Sequence, residues 1–379
     1  MRLWVVGAVL AGCNFSAAQG PVATADAPLG SADAAIDAQQ LQDGTNIPAD
    51  WWDPAWTHRR LITIDNTSVT SSLAAFPVLI SLTSAGFDYG DTHDGGADLR
   101  FIASDHTTVL PYDVDTFNGG GTSTFWVAVD IPASPSPKPT LWLYYDNGAA
   151  PPATNAAAVW STEVSVHHLT DFTDASGNGH DGAASSMNTT PTIAGGKIGG
   201  ARSWDGVDDQ VLIPASTAYD FTTSMSVSLW AQVNAFTADQ WDCFICKANA
   251  AWRVHRGSTT SHADFGTTQA SGTDNLDTTS NVTGGAWHHI AVEYDGTNKS
   301  IYFDGALQAS QPATTIEVTS DPVDFGENTG SGDVRFLTGL MDEIRISSKH
   351  HGAPWFAAEY QTVSDPTFAT LGADQALPQ

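Results

Sequence analysis

Basic residues are scarce in this chain. Its 379 residues include 14 lysines and arginines against 42 aspartates and glutamates, a formal net charge of −28. A protein that binds nucleic acid needs a basic surface, so the charge balance excludes that class. An excess of carboxylates instead suits solubility, a saline habitat or the binding of cations.

Long apolar runs are also missing, and no segment has the length that a membrane span needs. The most apolar segment is the N-terminal MRLWVVGAVLAGC, which has one basic residue before a short apolar core. This pattern predicts a signal peptide over residues 1–13. Leu10-Ala11-Gly12-Cys13 resembles the bacterial lipobox, which implies that Cys13 is lipidated. An ordinary signal peptide with a chance cysteine is the alternative.

Only two cysteines remain after Cys13, in the stretch Cys243-Phe-Ile-Cys246. An exported protein meets oxidising surroundings, which favour a disulfide between them. In a regular strand, however, residues three apart point to opposite faces, so a disulfide requires a turn or bulge there. Two free thiols are the alternative.

Helix-forming residues are few, whereas glycine (34) and proline (19) punctuate short runs rich in Val, Ile, Phe and Trp. This composition predicts an all-β protein. Residues 14–50 contain almost no large apolar side chains and are expected to form a disordered linker. Two domains are expected to follow, over 51–160 and 161–365, and then a disordered tail over 366–379.

The first domain contains FPVLISL, DLRFIASD, FWVAVDIP and LWLYYDNG in this order. This series is similar to a bacterial domain of unknown function that often adjoins LamG domains. The family's last motif usually ends in Tyr-Gly-Asn, whereas this chain has Tyr145-Asp146-Asn147. The resemblance implies a β-sandwich and no chemistry.

The second domain contains ARSWDGVDDQVLIP, SVSLWAQV, AWHHIAVEYDG, SIYFDG and LTGLMDEIRIS. These motifs resemble the LamG-like, concanavalin A-like jelly rolls. The expected fold class is therefore all-β, with two tandem antiparallel β-sandwiches of which the second is a LamG-like jelly roll. A short helix in HHGAPWFAAEYQTVSDPTF is expected to pack Trp355, Phe356 and Tyr360 onto the body.

Adjacent histidines at 288 and 289 raise the question of a metal site. Strand alternation sends His288 to the apolar face and His289 to the other, so they cannot bind one ion together. We expect His288 to lie in the core and His289 to be half-exposed.

Catalytic motifs are missing as well. Glycoside hydrolysis needs a pair of carboxylates, and the Glu-x-Asp-x-x-Glu strand of related glycosidases does not occur here. Neither does a nucleophile elbow, a zinc-binding helix or a dinucleotide fingerprint. The protein is therefore expected not to be an enzyme.

A structural calcium ion is a further expectation. Alternation places Asp342 on the apolar face of its strand, where a carboxylate needs a partner. The LamG-like resemblance implies that this aspartate binds calcium together with oxygens near the start of the domain. Calcium takes roughly six to eight oxygen ligands, so further donors are required. The candidates are Asp174 and Asn178, with Asp205, Asp208 and Asp209 as competitors. Alternatively, Asp342 accepts backbone hydrogen bonds.

A sugar-binding site would need aromatic side chains with polar neighbours. Trp241, Trp252, Arg253 and His255 surround the Cys243–Cys246 stretch and are the candidates for ligand binding. Alternation places Trp252 on one strand face and Arg253 with His255 on the other. Trp241 and Trp252 are equally well explained as core residues.

The function expected from these features is non-catalytic recognition by a lipid-anchored protein of the cell envelope, at the outer membrane or cell surface rather than the inner membrane. The expected partner is a polysaccharide or glycoconjugate. One alternative is a structural or protein-binding subunit of an envelope or transport assembly, with envelope proteins as partners. The other is a polysaccharide hydrolase with a non-standard site.

Overall fold

The computed structural model describes residues 47–93, 95–185, 192–238 and 241–377. The predicted signal peptide, Cys13 and nearly all of the predicted linker lie outside these residues. Strands account for 44% of the structure and helices for 8%, and the sheets are antiparallel, which confirms the all-β fold class. No helix within the described ranges is both long enough and apolar enough to cross a membrane.

The first sandwich is built from strands of both ends of the described chain. They are β1 (His58–Ile64), β2 (Leu73–Thr83), β3 (Arg100–Ala103), β4 (Val109–Leu110), β5 (Tyr112–Thr116), β6 (Thr122–Ile131), β7 (Thr140–Tyr145) and β24 (Ala369–Ala376). One sheet has the order β24-β1-β7-β3-β4 and the other β2-β6-β5. Alternate residues of β2 and β6, among them Phe76, Val78, Phe125 and Val127, fill the space between the sheets.

The second sandwich follows between β7 and β24. Its strands are β8 (Glu163–His167), β9 (Ala183–Ser185), β10 (Thr192–Ala194), β11 (Gly200–Asp205), β12 (Gln210–Ile213), β13 (Met225–Gln232), β14 (Cys243–Cys246), β15 (Trp252–Arg256), β16 (His262–Gln269), β17 (Gly272–Asp274), β18 (Asp277–Asn281), β19 (Trp287–Tyr294), β20 (Asn298–Phe303), β21 (Ala306–Pro312), β22 (Val323–Phe325) and β23 (Thr338–Ser347).

These strands form two sheets of eight. The inner sheet has the order β10-β11-β23-β13-β19-β20-β21, with β8 paired to β23. The outer sheet has the order β17-β16-β15-β14-β22-β12-β9, with β18 paired to β16. Apolar side chains from both, including Leu229, Ile290, Trp252 and Phe265, form one core between them.

Strand β24 corrects the prediction of a disordered tail. It pairs antiparallel with β1, with Ile62 opposite Leu371 and Ile64 opposite Ala369. Phe368, just before the strand, is buried in the first core. The tail sequence has few apolar residues, and its order depends on the edge that β1 offers. The second sandwich is thus an insertion into the first.

Two helices, α1 (Ala156–Val159) and α2 (Ala353–Ser364), connect the sandwiches. Trp355 of α2 packs against Phe76 of the first sandwich, and Phe356 contacts Tyr302 of the second. Tyr360 stacks on Trp230 of β13. The predicted helix and its packing are confirmed, and α2 covers the outward face of the inner sheet.

The exposure of the two histidines is the reverse of what was predicted. His289 is buried beside Trp230, beneath α2. His288 is the second residue of β19. Its side chain remains partly exposed and contacts Asp304 at 3.0 Å. Strand alternation alone does not show that a helix covers the second face.

Arg345 of β23 connects the two sandwiches and α2. Its guanidinium donates to Glu359 at 2.9 Å and to Glu343 at 3.2 Å. The same group lies 4.2 Å from the ring centroid of Trp126 in β6 and 4.7 Å from that of Trp160. All these side chains are buried, so the contact is shielded from water.

His168 forms a second buried link at this junction. Its Nε2 lies 2.9 Å from Asp113 of β5, and its Nδ1 lies 2.7 Å from Glu343. Burial opposes protonation, but the two carboxylates outweigh it and raise the pKa of His168 well above its ordinary value of 6.5. Only the protonated ring can donate to both carboxylates.

Replacing Phe368 should test the packing of the tail. Phe368→Ala removes a buried ring from the first core, and we expect the free energy of unfolding to fall by about 3–5 kcal/mol. Denaturant titration would measure it, with Ala373→Ser on the exposed part of β24 as the control. Equal stability of the two variants would contradict the packing of the tail.

The junction should also make stability depend on pH. The folded pKa of His168 lies above the unfolded value of 6.5, so its contribution is complete below pH 6.5 and is lost as the pH rises through the folded pKa. We expect His168→Gln to cost about 3–5 kcal/mol at pH 6 and less in alkaline solution. The exposed His350→Gln is the control, and unfolding titrations from pH 6 to 9.5 give the measurement. A pH-independent cost would show that His168 is neutral.

Candidate functional site

A pocket opens on the outward face of the outer sheet, the sheet that α2 does not cover. Its volume is about 270 Å³. Most of its lining is polar, and one large aromatic side chain contributes. The lining residues are Trp241, Asn249, Arg253, His255, Thr273, Asn275 and Arg335.

Strand β15 positions two of these side chains by simple alternation. Trp252 and Val254 point into the core, whereas Arg253 and His255 point into the pocket. Of the four predicted ligand-binding residues, Trp241, Arg253 and His255 therefore share one pocket. Trp252 does not, because it is fully buried and its Nε1 donates to the carbonyl of Tyr219. Its assignment to ligand binding is corrected.

Gly266 of β16 gives these side chains the room they need. It pairs with Arg253 across the sheet. A Cβ atom at this position would lie 2.5 Å from Nε2 of His255 and 2.8 Å from Nη2 of Arg253. Any larger residue would displace both groups, so this glycine shapes the pocket floor.

His255 and Asp264 form a buried pair in the floor. Nδ1 of His255 donates to the carbonyl of Arg256 at 2.7 Å, so Nε2 of the neutral ring carries no hydrogen. Oδ1 of Asp264 lies 3.2 Å from this Nε2, and neither atom has another hydrogen-bond partner. Two facing acceptors repel, so this contact is favourable only when one of the two groups carries a proton.

The surroundings decide which group holds that proton. Burial, assisted by the charge of Arg253, lowers the pKa of His255 to about 3. Burial, assisted by the charge of Asp277, raises the pKa of Asp264 to about 8. Both shifts favour a protonated carboxyl beside a neutral imidazole at neutral pH.

Two arginines meet at Asn249 on the pocket wall. Nη1 of Arg253 donates to the backbone carbonyl of Asn249 at 2.6 Å, and Nη1 of Arg335 donates to its side-chain oxygen at 2.8 Å. Nε of Arg335 is buried without a hydrogen-bond partner. Two carboxylates lie near Arg335. Asp333 is largely exposed and lies 3.4 Å from the guanidinium, and the buried Glu327 accepts from the backbone N–H of Arg335 at 3.3 Å.

A disulfide joins Cys243 to Cys246 in the strand next to β15, with Cα atoms 6.3 Å apart. The pairing of β14 with β15 shifts register between Cys243 and Ile245. This irregularity is the bulge that alternation required, and it brings the two side chains to the same side. Because Cys243 pairs with His255 and Cys246 with Arg253, the disulfide braces the strand beside the pocket.

The predicted calcium ligands do not come together. Strand β23 has a bulge, since Ser228 and Trp230 of β13 pair with Arg345 and Asp342, and Glu343 has a φ of 50°. The bulge reverses the alternation, so Asp342 lies on the outward face of the inner sheet and not on the core face. Its Oδ2 accepts from the backbone N–H of Ile198 at 2.9 Å, as the alternative expectation proposed.

The other two candidate ligands serve a turn. The carboxylate of Asp174 accepts from the backbone N–H groups of Val166, Ser176 and His180. The side chain of Asn178 donates to the backbone carbonyls of the first two residues of β8. These groups stabilise the turn, and neither Asp174 nor Asp342 belongs to a described cluster of potential metal ligands.

Two clusters of potential ligands do occur among the described residues. Oxygens of Asp205, Asp208 and Asp209 lie within 4.8 Å of one another, so among the predicted calcium ligands this competing set comes together. The other cluster, Asp115, His168 and Glu343, lies at the junction, where the imidazole is already bonded to carboxylates. Calcium binding itself stays a prediction.

Comparison with known families agrees with this geometry. Residues 205–353, which form most of the second sandwich, match the family model described as the concanavalin A-like lectin/glucanases superfamily. Residues 95–182 match the model of a domain of unknown function, DUF2341. The chain therefore contains a concanavalin A-like domain and a DUF2341 domain, as the motifs predicted. No curated protein matches the chain.

Several solved structures are similar to part of this chain at low identity. The binding domain of Paraclostridial Mosquitocidal Protein 1 is 11% identical, with 55% of this chain and 53% of that chain covered and a TM-score of 0.45. The ligand-binding domain of botulinum neurotoxin serotype D, solved with N-acetylneuraminic acid, is 14% identical, with 55% and 52% covered and a TM-score of 0.44. The chain thus spans about half the length of these toxin structures.

A third similar structure is domain 4 of AbnA, a GH43 extracellular arabinanase from Geobacillus stearothermophilus, solved with arabinotriose. It is 21% identical, with 52% of this chain and 97% of that chain covered and a TM-score of 0.42.

Removing the buried carboxyl should stabilise the protein. Asp264 ionises near pH 3.8 when unfolded but near pH 8 when folded, so stability falls as the pH rises between these values. Asp264→Asn does not ionise, and its amide can donate to Nε2 of His255. We therefore expect it to unfold at higher denaturant concentration than the native chain, with a larger gain at pH 8 than at pH 5.5.

The exposed Asp333→Asn is the control for this substitution and should leave stability nearly unchanged. A loss of stability in Asp264→Asn at pH 8 would mean that the native carboxyl is ionised and paired.

Proposed function

We propose that the concanavalin A-like domain binds carbohydrate in the pocket of the outer sheet, without hydrolysing it. The observation that carries this proposal is the position of Trp241. This residue lies at the pocket, partly exposed, with its ring 5.3 Å from that of His255 and amide and guanidinium groups around it. An aromatic ring suits the apolar face of a sugar, and the surrounding polar groups suit its hydroxyls.

The match to a lectin and glucanase family supports the same ligand class. Family membership alone does not assign a function, because one fold carries many functions. The local geometry is therefore the main support: a concave, polar pocket with an aromatic wall on the side of the sandwich away from the first domain.

The lining of the pocket supports binding without hydrolysis. A glycosidase needs two carboxyl groups in contact with the sugar. Among the described residues that line the pocket there is no aspartate or glutamate. Asp264 lies beneath them with no exposed surface, so its carboxyl does not reach a sugar in the pocket.

The cellular setting of this proposal comes from the N-terminus. Lipidation of Cys13 would attach the protein to the cell envelope, with the predicted linker over residues 14–50 between the anchor and the first sandwich. The pocket would then face polysaccharides or glycoconjugates at the outer membrane or cell surface. A disulfide beside the pocket suits an exported protein.

A glycan array and a set of insoluble polysaccharides would test the proposal on the mature chain. We expect specific binding that Trp241→Ala weakens about tenfold or more, as is typical of an aromatic residue at the centre of a binding site. Trp241→Phe keeps an aromatic face and should retain most of the affinity. Trp52→Ala, in the first domain, is the control.

Absence of binding to every glycan would sink the proposal. Crosslinking to a single envelope protein would then favour the structural or protein-binding alternative, and turnover of a polysaccharide would favour the hydrolase.

A further inference from the structure

The charge of the pocket is opposite to that of the protein. Basic residues are outnumbered three to one in the whole chain, with 14 against 42. Yet the described lining of the pocket contains two arginines and no carboxylate. A local positive site in such an acidic chain calls for a specific explanation.

Hydrogen bonds to neutral groups hold the two arginines in place. Arg253 is 3% exposed and Arg335 is 9% exposed. Both bond to Asn249, once through its backbone carbonyl and once through its side chain. These acceptors are neutral dipoles, so they orient the guanidinium groups without neutralising them.

Nearby carboxyl groups compensate this charge only in part. The buried Glu327 accepts from the backbone N–H of Arg335 at 3.3 Å. Asp333 is 3.4 Å from Arg335, but its side chain is 74% exposed, and such surface pairs contribute little. Asp264 lies beneath the pocket with no exposed surface, and burial raises its pKa to about 8, which favours the neutral carboxyl at neutral pH. Nε of Arg335 has no hydrogen-bond partner at all, although it is buried.

The pKa of Arg253 reflects the cost of burying its charge. Burial, partly offset by Asp264 and reinforced by Arg335, lowers the pKa of Arg253 to about 10. Two cations that are buried near each other repel, and an anion bound between them would remove that repulsion.

We infer that this pocket selects acidic sugars, with the carboxylate of a uronic-acid-type unit bound by Arg253 and Arg335 and the sugar ring against Trp241. A guanidinium group offers a planar pair of donors that matches a carboxylate. The inference rests on the proposed carbohydrate binding and names its ligand class. A sulfate ester shares the negative charge but not the planar geometry, so the test includes both.

Calorimetric titration of the mature chain with three oligosaccharides separates these possibilities. The probes are an oligogalacturonate, its methyl ester and a sulfated galactan. The methyl ester keeps the sugar and removes only the charge. We expect the oligogalacturonate to bind at least tenfold more tightly than its methyl ester, with an affinity that falls as salt is raised.

Single substitutions then assign the effect to the arginines. We expect Arg335→Gln to weaken oligogalacturonate binding about ten- to hundredfold, the usual range for a hydrogen bond to a charged group, and to weaken binding of the methyl ester much less. Arg335→Lys keeps the charge without the planar pair and should be intermediate. Lys349→Gln removes an exposed cation that lies two residues beyond β23, and it is the matched control.

Arg253→Gln provides a second variant if Arg335→Gln does not fold, as judged by its thermal unfolding. Equal affinity for oligogalacturonate and methyl ester would overturn the inference and leave carbohydrate binding intact. Tighter binding of the sulfated galactan would overturn the carboxylate assignment. Failure of all three probes, together with an empty glycan array, would overturn the proposed function as well.

Discussion

The buried guanidinium of Arg345 joins the second sandwich to the first sandwich and to α2. This contact decides which face of the second sandwich is covered and which stays open to solvent. Burying charges is costly unless each one is paired, and here Glu343 and Glu359 receive the guanidinium while His168 links Glu343 to the first sandwich. An ion network of this kind requires one geometry. It therefore favours a single arrangement of the two sandwiches and leaves the outer sheet as the free face.

The free face holds polar groups that cost stability. His255 and Asp264 are buried with unsatisfied atoms, and two arginines are buried beside them without a carboxylate between them. Burying these polar groups lowers the stability of the fold, and ligand-binding sites commonly contain groups of this kind. The apolar core between the sheets and the disulfide in β14 support the strands that hold these groups in place.

Sequence patterns predicted the features that depend on neighbours along the chain. Alternation in β15 separated Trp252 from Arg253 and His255 correctly, because the strand is regular there. The motifs identified both domains, and the helix with Trp355 was expected. Alternation failed at Asp342, since a bulge at Glu343 adds one residue to the strand. It also misjudged His289, whose face is covered by a helix that lies far along the chain.

By itself, the sequence determined the all-β fold class, the two families of domain and the residue types around the pocket, because these follow from local periodicity and from motifs of adjacent residues. Only the tertiary structure decided that the last strand returns to β1, that Arg335 and Gly266 join Arg253 in one pocket, and that Asp174 and Asp342 lie in different settings. Each of these depends on which strands become neighbours in a sheet. That choice is made by packing between segments distant in sequence, and no local pattern records it.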